Sequence, residues 1–188
     1  MKKIGILGGT FDPPHLGHLL IAEEVREKLD LEEVWFIPSF TPPHKEDLGT
    51  TPNDRMNMVK YAISNNPFFK LNTIEIERSG KSYTIDTIKR LKELHPDHDF
   101  YFIIGADMVE FLPNWFKIEE LVNLVQFVGV KRAGSSLVTD WNVRSIKIPG
   151  IDISSTELRK RVKEKQQITY LTTDSVQAYI KENHLYEN

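Results

Sequence analysis

Two histidines stand three residues apart near the start of the chain, shortly after a pair of glycines. They lie in residues 8–18 (GGTFDPPHLGH), between an apolar run typical of a strand and a periodic run typical of a helix. Because residues three apart share a helix face, the rings of His15 and His18 can both donate N–H groups to one anion. Gly8 and Gly9 let the backbone approach a ligand closely, and the amides of a helix start favour phosphate. The segment therefore predicts a phosphate site.

Each part of this segment also has a plain structural interpretation. A glycine turn after a strand is common, and a single histidine on a helix is more often structural than functional. The combination is rarer, and it is neither G-x-G-x-x-G nor a P-loop, because no Gly-Lys-Ser/Thr follows. Pro13 and Pro14 suit a helix start, where no amide donor is lost. Two histidines also lack the further ligands of a zinc site, so we expect no metal held by the protein alone.

A second candidate for phosphate binding is the run ISSTELR at residues 153–159. It has the pattern of a helix start, in which Ser154 or Ser155 caps the helix while the first amides, including that of Thr156, stay free. Arg159 lies about one turn in, where its guanidinium can fork onto phosphate oxygens. Taken alone the run is usually a simple cap, but together with residues 8–18 it favours a second phosphate element.

Other positions carry groups that suit the rest of a nucleotide. Gly105 and Asp107 follow an apolar run, and the acid either contacts a ribose hydroxyl or caps a helix, with equal weight. Trp115 lies in a predicted loop and is either a core residue or a stacking surface. Lys45 is either a surface lysine or a phosphate ligand. Residues 82–84 precede a helical pattern, so their amides are expected to be free donors for an anion.

Strand-like and helix-like segments alternate along the chain, without repeats or linkers. Strands are predicted over residues 3–7, 34–38, 71–77, 100–104, 125–130 and 146–149. Helical periodicity covers residues 16–29, 56–63, 85–94, 158–162 and 176–180. This alternation predicts a single α/β domain over residues 1–188: a Rossmann-like, doubly wound parallel sheet with helices on both faces and a helical C-terminal part. The ligand site is expected beyond the carboxyl ends of the strands.

Composition excludes several other classes of protein. With 188 residues, 40% of them hydrophobic and 27% charged, the chain can bury a core of its own. It has no cysteine, which excludes disulfides, thiolate metal sites and a cysteine nucleophile. The net charge of −3 argues against nucleic acid or an anionic membrane as partner. No apolar run approaches the roughly 18 residues of a membrane helix, so we expect a cytoplasmic protein that acts alone or as a homo-oligomer.

The run GGTFDPPHLGH resembles the signature of the nucleotidyltransferases that transfer adenylyl or cytidylyl groups. The resemblance implies that the two histidines contact ATP phosphates and that the reaction is a direct in-line displacement without a covalent enzyme intermediate. ISSTELR resembles the second motif of that family, and Asp107 matches the acid that contacts the adenosine ribose there.

Later segments resemble one branch, the bacterial nicotinate-nucleotide adenylyltransferases. Trp115 matches the tryptophan that stacks on the pyridine ring, and residues 82–84 (SYT), 42–45 (PPHK) and the Leu185-Tyr186 ending match as well. Two positions depart from the pattern. Phe116 stands where tyrosine is common, and Ala133 follows Arg132 where proline is frequent. Residues 134–145 match nothing in the family.

The resemblance implies transfer of the adenylyl group of ATP to nicotinate mononucleotide, which gives nicotinate adenine dinucleotide and pyrophosphate, with Mg²⁺ accompanying ATP. His15, His18 and Arg159 are the implied catalytic residues. The implied ATP-binding residues are Gly8, Gly9, Thr10, Phe11, His15, His18, Gly105, Asp107, Ser154, Ser155, Thr156 and Arg159. The implied mononucleotide-binding residues are Lys45, Ser82, Tyr83, Thr84, Trp115 and Arg132.

Two other functions compete with this one. Phosphopantetheine adenylyltransferases share the first motif but leave residues 82–84 and Trp115 unexplained. A nucleotide-sensing module without turnover is the other, although both phosphate motifs are intact here. No general base is expected, because the attacking mononucleotide phosphate is already an anion.

Overall fold

The computed structural model describes residues 1–40, 49–81, 83–131 and 139–187. Within them one parallel sheet has the strand order β3-β2-β1-β4-β5-β6. Its strands are β1 (Lys2–Gly9), β2 (Glu33–Pro38), β3 (Phe69–Leu71), β4 (His98–Gly105), β5 (Gln126–Lys131) and β6 (Val143–Lys147). The order reverses between β1 and β4, and a parallel sheet opens a crevice for ligands beyond the strand ends at such a point. The predicted doubly wound fold is confirmed.

Helices cover both faces of the sheet. They are α1 (Leu16–Leu29), α2 (Pro52–Ala62), α3 (Ile74–Arg78), α4 (Thr84–Leu94), α5 (Ala106–Phe111), α6 (Ile118–Leu121), α7 (Ser155–Lys163) and α8 (Asp174–Glu182). A 3₁₀ turn at Leu112–Asn114 lies between α5 and α6. Among the residues that the structure describes, no helix is long and apolar enough to cross a bilayer.

Two apolar clusters lie on opposite faces of the sheet, because successive residues of each strand point to opposite sides. Leu7 and Phe36 face a cluster completed by α1, α2, α7 and α8. Ile6 and Phe102 face a second cluster completed by α4, α5 and α6. With both faces covered, the central strands must be apolar almost throughout, which is the pattern that their sequences have.

Three expectations about the elements need correction. The strand predicted over residues 71–77 ends at Leu71, because the side chain of Asn72 accepts the N–H of Ile74 at 3.1 Å and starts α3. The last strand runs earlier than predicted, from Val143 to Lys147. The two prolines before α1 do not start it, since the helix begins at Leu16 with His15 as its N-cap.

Candidate active site

The two histidines lie at the start of α1, directly beyond the carboxyl end of β1. His15 is the N-cap, with an extended backbone, and His18 lies in the first helical turn. Their rings stack with centroids 3.7 Å apart and planes 24° from parallel. The predicted common face of His15 and His18 is therefore observed.

The hydrogen bonding of His18 fixes which of its ring nitrogens can act as a donor. The backbone N–H of His15 donates to Nδ1 of His18 at 3.1 Å. Because Nδ1 is an acceptor in this bond, the neutral ring carries its proton on Nε2. Burial, and secondarily the nearby charge of His15, lower the pKa of His18 well below its ordinary value. His18 is thus a neutral ring that presents an Nε2–H donor.

Gly17 leaves the space that the ring of His15 occupies. A Cβ at position 17 would lie 2.9 Å from Nδ1 of His15, closer than real Cβ contacts, and 3.0 Å from Cε1 of the same ring. Phe11 supports the pair from the other side, because its buried ring meets His18 edge-on with centroids 5.0 Å apart. Since this ring lies in the core, any contact of Phe11 with ATP has to come from its backbone.

Asp12 is the buried centre of the loop between β1 and α1. Its side chain is 1% exposed, and Oδ1 accepts hydrogen bonds from Thr50 Oγ1 at 2.7 Å and Tyr186 OH at 2.6 Å. Arg159 donates through Nη1 to the carbonyl of Asp12 at 2.7 Å, and the same nitrogen lies 4.0 Å from Oδ2. The guanidinium predicted to bind phosphate therefore lies against the first motif.

The C-terminal part of the chain also holds the backbone of this loop at successive residues. Ser155 Oγ donates to the carbonyl of Pro13 at 2.8 Å, and Thr172 Oγ1 donates to that of Pro14 at 2.8 Å. The N–H of Leu16 donates to the carbonyl of Leu171 at 2.9 Å. The two motifs singled out in the sequence thus meet at one place.

The two serines of the second motif have different tasks. Ser154 is the N-cap of α7, because its Oγ accepts the N–H of Glu157 at 3.2 Å. Ser155 reaches the first motif instead. Thr156 Oγ1 accepts a hydrogen bond from Arg159 Nη2 at 3.3 Å, which orients the guanidinium. Of the two capping candidates, the structure selects Ser154.

Arg55 belongs to neither sequence motif, yet it is among the most buried side chains, at 1% exposure. Its guanidinium donates to the carbonyls of Thr10 at 3.1 Å, Ser39 at 2.5 Å and Phe40 at 2.7 Å, which joins the ends of β1 and β2. Burial lowers its pKa, and the carboxylate of Asp12 opposes that shift. Its spacing was the available signal, since residue 55 shares the buried stripe of α2 with residues 58, 59 and 62.

On the other side of the strand ends, aromatic residues gather near the start of α4. Tyr83 is the N-cap of α4, and its ring centroid lies 4.9 Å from that of Phe116. Trp115 is half-buried and meets Phe102 and Phe127 edge-on, with centroids 5.8 and 6.0 Å away. The core interpretation of Trp115 thus holds for one edge of the ring, while part of the ring stays accessible.

Asp107 lies in the first turn of α5, directly after β4, and is exposed. Its Oδ1 lies 2.6 Å from where a Cβ of Gly105 would be, so a side chain at position 105 would require the carboxylate to move. The positions of Lys45, Ser82, Arg132 and residues 134–138 fall outside the described residues, and the roles expected for these three side chains stay predictions.

We expect the ring of His18 to stay neutral, with its proton on Nε2, at pH values well below 6.5, the ordinary pKa of histidine. As the pH falls, the unfolded chain protonates this ring before the folded chain does. The stability that His18 contributes is therefore present above about pH 6.5 and is lost below it. Ring ¹⁵N chemical shifts measured against pH report both the tautomer and the titration. A midpoint near 6.5, or a proton on Nδ1, would contradict this assignment.

Residues 6–161 match the family model described as Cytidylyltransferase-like. The chain is 57% identical over 186 residues to the probable nicotinate-nucleotide adenylyltransferase of Oceanobacillus iheyensis, which covers 99% of this chain and 97% of that one. It is 50% identical over 189 residues to the nicotinate-nucleotide adenylyltransferase of Bacillus subtilis, with 100% of both chains covered.

The fold also matches solved structures of similar proteins. Plasmodium falciparum nicotinic acid mononucleotide adenylyltransferase complexed with NaAD gives a TM-score of 0.83 at 26% identity, over 100% of this chain and 98% of that one. The same protein complexed with APC gives 0.82. The resemblance that the motifs indicated is confirmed. Because the family model spans most of the chain and the relatives match along its whole length, the chain belongs to the cytidylyltransferase-like family and, within it, to the nicotinate-nucleotide adenylyltransferases.

Proposed function

We propose that the protein transfers the adenylyl group of ATP to nicotinate mononucleotide, giving nicotinate adenine dinucleotide and pyrophosphate. The observation that carries this proposal is the junction of the two motifs, where Arg159 lies against the loop that ends in the stacked pair His15 and His18. All three side chains are of kinds that donate hydrogen bonds to phosphate. The names of the full-length relatives support the choice of nicotinate mononucleotide as the acceptor.

The proposed reaction is one in-line displacement. An oxygen of the mononucleotide phosphate attacks the α-phosphorus of ATP, the bond from that phosphorus to the bridging oxygen breaks, and pyrophosphate leaves with the electron pair. The nucleophile is already an anion, so the protein needs no general base. Holding both substrates in line can supply about 7–11 kcal/mol. His15, His18 and Arg159 would stabilise the charge that grows on the leaving pyrophosphate.

Mg²⁺ enters this proposal with ATP. At the motif junction, Arg159 and the Nε2–H of His18 are hydrogen-bond donors, which suit phosphate oxygens. In the described parts of the chain, no group of three or more His, Cys, Asp and Glu side chains could hold a metal. We therefore assign Mg²⁺ to the triphosphate oxygens and water, where it would neutralise phosphate charge.

The other proposed contacts with the two substrates lie on either side of the carboxyl ends of the strands. Asp107 beside Gly105 would accept hydrogen bonds from the adenosine ribose, and the backbone of residues 8–11 would approach ATP. Trp115 would stack on the pyridine ring through its accessible part. Tyr83 and Thr84 begin α4, whose N-terminal dipole favours a carboxylate by about 0.3–2 kcal/mol. Lys45, Ser82 and Arg132 are proposed for the mononucleotide from the resemblance alone.

A substrate panel tests this function directly. We expect pyrophosphate release from ATP with nicotinate mononucleotide, with kcat/KM favouring this acid over nicotinamide mononucleotide by well over tenfold. The carboxamide of nicotinamide mononucleotide would turn its NH₂ group toward the backbone N–H donors at the start of α4, and these donors would then lack acceptors. Trp115→Ala should weaken both mononucleotides by similar factors, because stacking does not distinguish acid from amide. Equal kcat/KM of the wild-type protein for the two mononucleotides would contradict the proposed binding of the carboxylate at the start of α4. Turnover with phosphopantetheine instead, or none with any acceptor, would favour one of the two competing functions.

Gly17→Ala should lower kcat although the protein stays folded. The new methyl group would meet the ring of His15 at about 2.9 Å and displace it, while alanine adds up to about 1 kcal/mol of helix propensity. We expect a loss of at least about tenfold in kcat, equivalent to about 1.4 kcal/mol of transition-state stabilisation. Gly150→Ala is the matched control, since nothing lies within 4 Å of its added Cβ. Wild-type turnover in a folded Gly17→Ala protein would separate His15 from catalysis.

Arg159→Ala should raise the KM for ATP more than that for the mononucleotide. Removing one charged hydrogen bond to phosphate costs about 1.5–3 kcal/mol, which corresponds to roughly tenfold or more. Arg161→Ala is the control on the same helix, because that side chain pairs with Glu157 at 2.9 Å. Steady-state kinetics with each substrate varied in turn distinguishes the two. An unchanged KM for ATP with only a lower Tm would assign Arg159 a structural role.

A further inference from the structure

The chain turns sharply beyond α8 so that its end returns to the first motif. His184 and Tyr186 both have left-handed backbone conformations, with φ of 52° and 66°. Residues other than glycine rarely adopt this backbone conformation, and they keep it only when surrounding contacts require it. Leu185 and Tyr186 pack against the apolar cluster beside α1 and α2, and the N–H of Leu185 donates to the carbonyl of Ile180 at 3.0 Å.

The contact that this turn makes is the short hydrogen bond from Tyr186 OH to Oδ1 of Asp12, 2.6 Å long. A bond from a hydroxyl to a buried carboxylate is of the strong, charge-assisted kind. Burial raises the pKa of Tyr186 above its ordinary value, so the hydroxyl keeps its proton and remains a donor. Thr50 donates to the same oxygen. The two hydroxyls together fix the orientation of the carboxylate.

Asp12 connects this bond to the groups that would meet ATP. Its own carbonyl accepts the hydrogen bond of Arg159, and its carboxylate faces the same guanidinium. Only Pro13 and Pro14 separate it from His15, and the carbonyls of both prolines are held by Ser155 and Thr172. Among the groups that would meet ATP, Arg159 is therefore the one whose position depends most directly on the Asp12 carboxylate.

We propose that Tyr186 is a positioning residue for adenylyl transfer, whose hydroxyl holds Asp12 so that Arg159 stays aimed at the triphosphate. The proposal rests on the proposed function, because it concerns how that site is kept in order. It makes the C-terminal turn part of the ATP half of the site. Tyr186 itself lies behind the loop and does not need to touch a substrate.

A second tyrosine of the same region separates positioning from plain stability. Tyr179 on α8 donates to Oδ1 of Asp54 at 3.0 Å and accepts a hydrogen bond from Asn57. It thus also joins the C-terminal part to the rest of the fold through a hydroxyl on a carboxylate. This bond reaches the start of α2 and not the first motif, so Tyr179→Phe is the matched control for Tyr186→Phe.

The experiment compares these variants by steady-state kinetics and thermal unfolding. Tyr186→Phe keeps the ring and removes only the hydroxyl. It should lower kcat/KM for ATP by about fivefold to fiftyfold, which is less than the roughly tenfold to 150-fold expected for a lost direct hydrogen bond to a charged group, because Tyr186 acts through Asp12. The KM for nicotinate mononucleotide should stay within about twofold, since that side of the site does not depend on Asp12. Tyr179→Phe should lower Tm by about as much as Tyr186→Phe does, but it should leave kcat and both KM values unchanged.

A double-mutant cycle tests the route through Arg159. If Tyr186 acts by aiming that guanidinium, Tyr186→Phe in an Arg159→Ala background should change kcat/KM for ATP by less than about twofold. Thr50→Val, which removes the other hydroxyl from the same oxygen, should give the same kinetic pattern as Tyr186→Phe. This variant keeps the test decisive if Tyr186→Phe folds poorly.

Three results would overturn the inference: normal kinetics in folded Tyr186→Phe and Thr50→Val, an equal loss of activity in Tyr179→Phe, or independent, multiplicative effects in the cycle. Each is distinct from a failure of the proposed function. That failure would appear as a wild-type protein without adenylyl transfer to nicotinate mononucleotide, before any variant is compared.

Discussion

The carboxylate of Asp12, almost completely removed from water, is the constraint on which the candidate site depends. A buried carboxylate costs several kcal/mol unless donors and opposite charge surround it. Here Thr50 and Tyr186 supply hydroxyl donors and Arg159 supplies the charge. They lie 38, 174 and 147 residues away along the chain. The loop between β1 and α1 can therefore take its form only once distant parts of the chain have come together.

Arg55 stabilises the backbone just beyond the ends of β1 and β2. The backbone carbonyls there need hydrogen-bond donors, and a guanidinium offers several in one plane. Arg55 uses them on Thr10, Ser39 and Phe40, next to the negative charge of Asp12. The result is a loop whose backbone is held from both sides before any ligand arrives. Preorganisation of this kind suits a displacement that depends on positioning, because little reorganisation remains for the moment of reaction.

Much of the fold could be predicted from the sequence because its signals are local. Apolar runs and helical periodicity gave the parallel sheet and α1, and the spacing of His15 and His18 gave the face that they share. Where a single side chain redirected the backbone, as Asn72 does, the periodicity was not enough. The hydrogen bond between Asp12 and Tyr186 could not be predicted, since no local pattern states which residue 174 positions away will donate to a carboxylate.

The stacked histidines also explain how charge is divided within the site. The rings lie with centroids 3.7 Å apart, and burial together with the charge of His15 lowers the pKa of His18, so His18 is the ring that stays neutral. The N–H of His15 points at Nδ1 of His18 and opposes its protonation further. At the motif junction, the guanidinium of Arg159 is the group that adds positive charge beside the neutral ring of His18. His18 contributes an oriented hydrogen-bond donor and no charge. The direction of its Nε2–H is fixed by the backbone N–H of His15, in the loop that also contains Asp12.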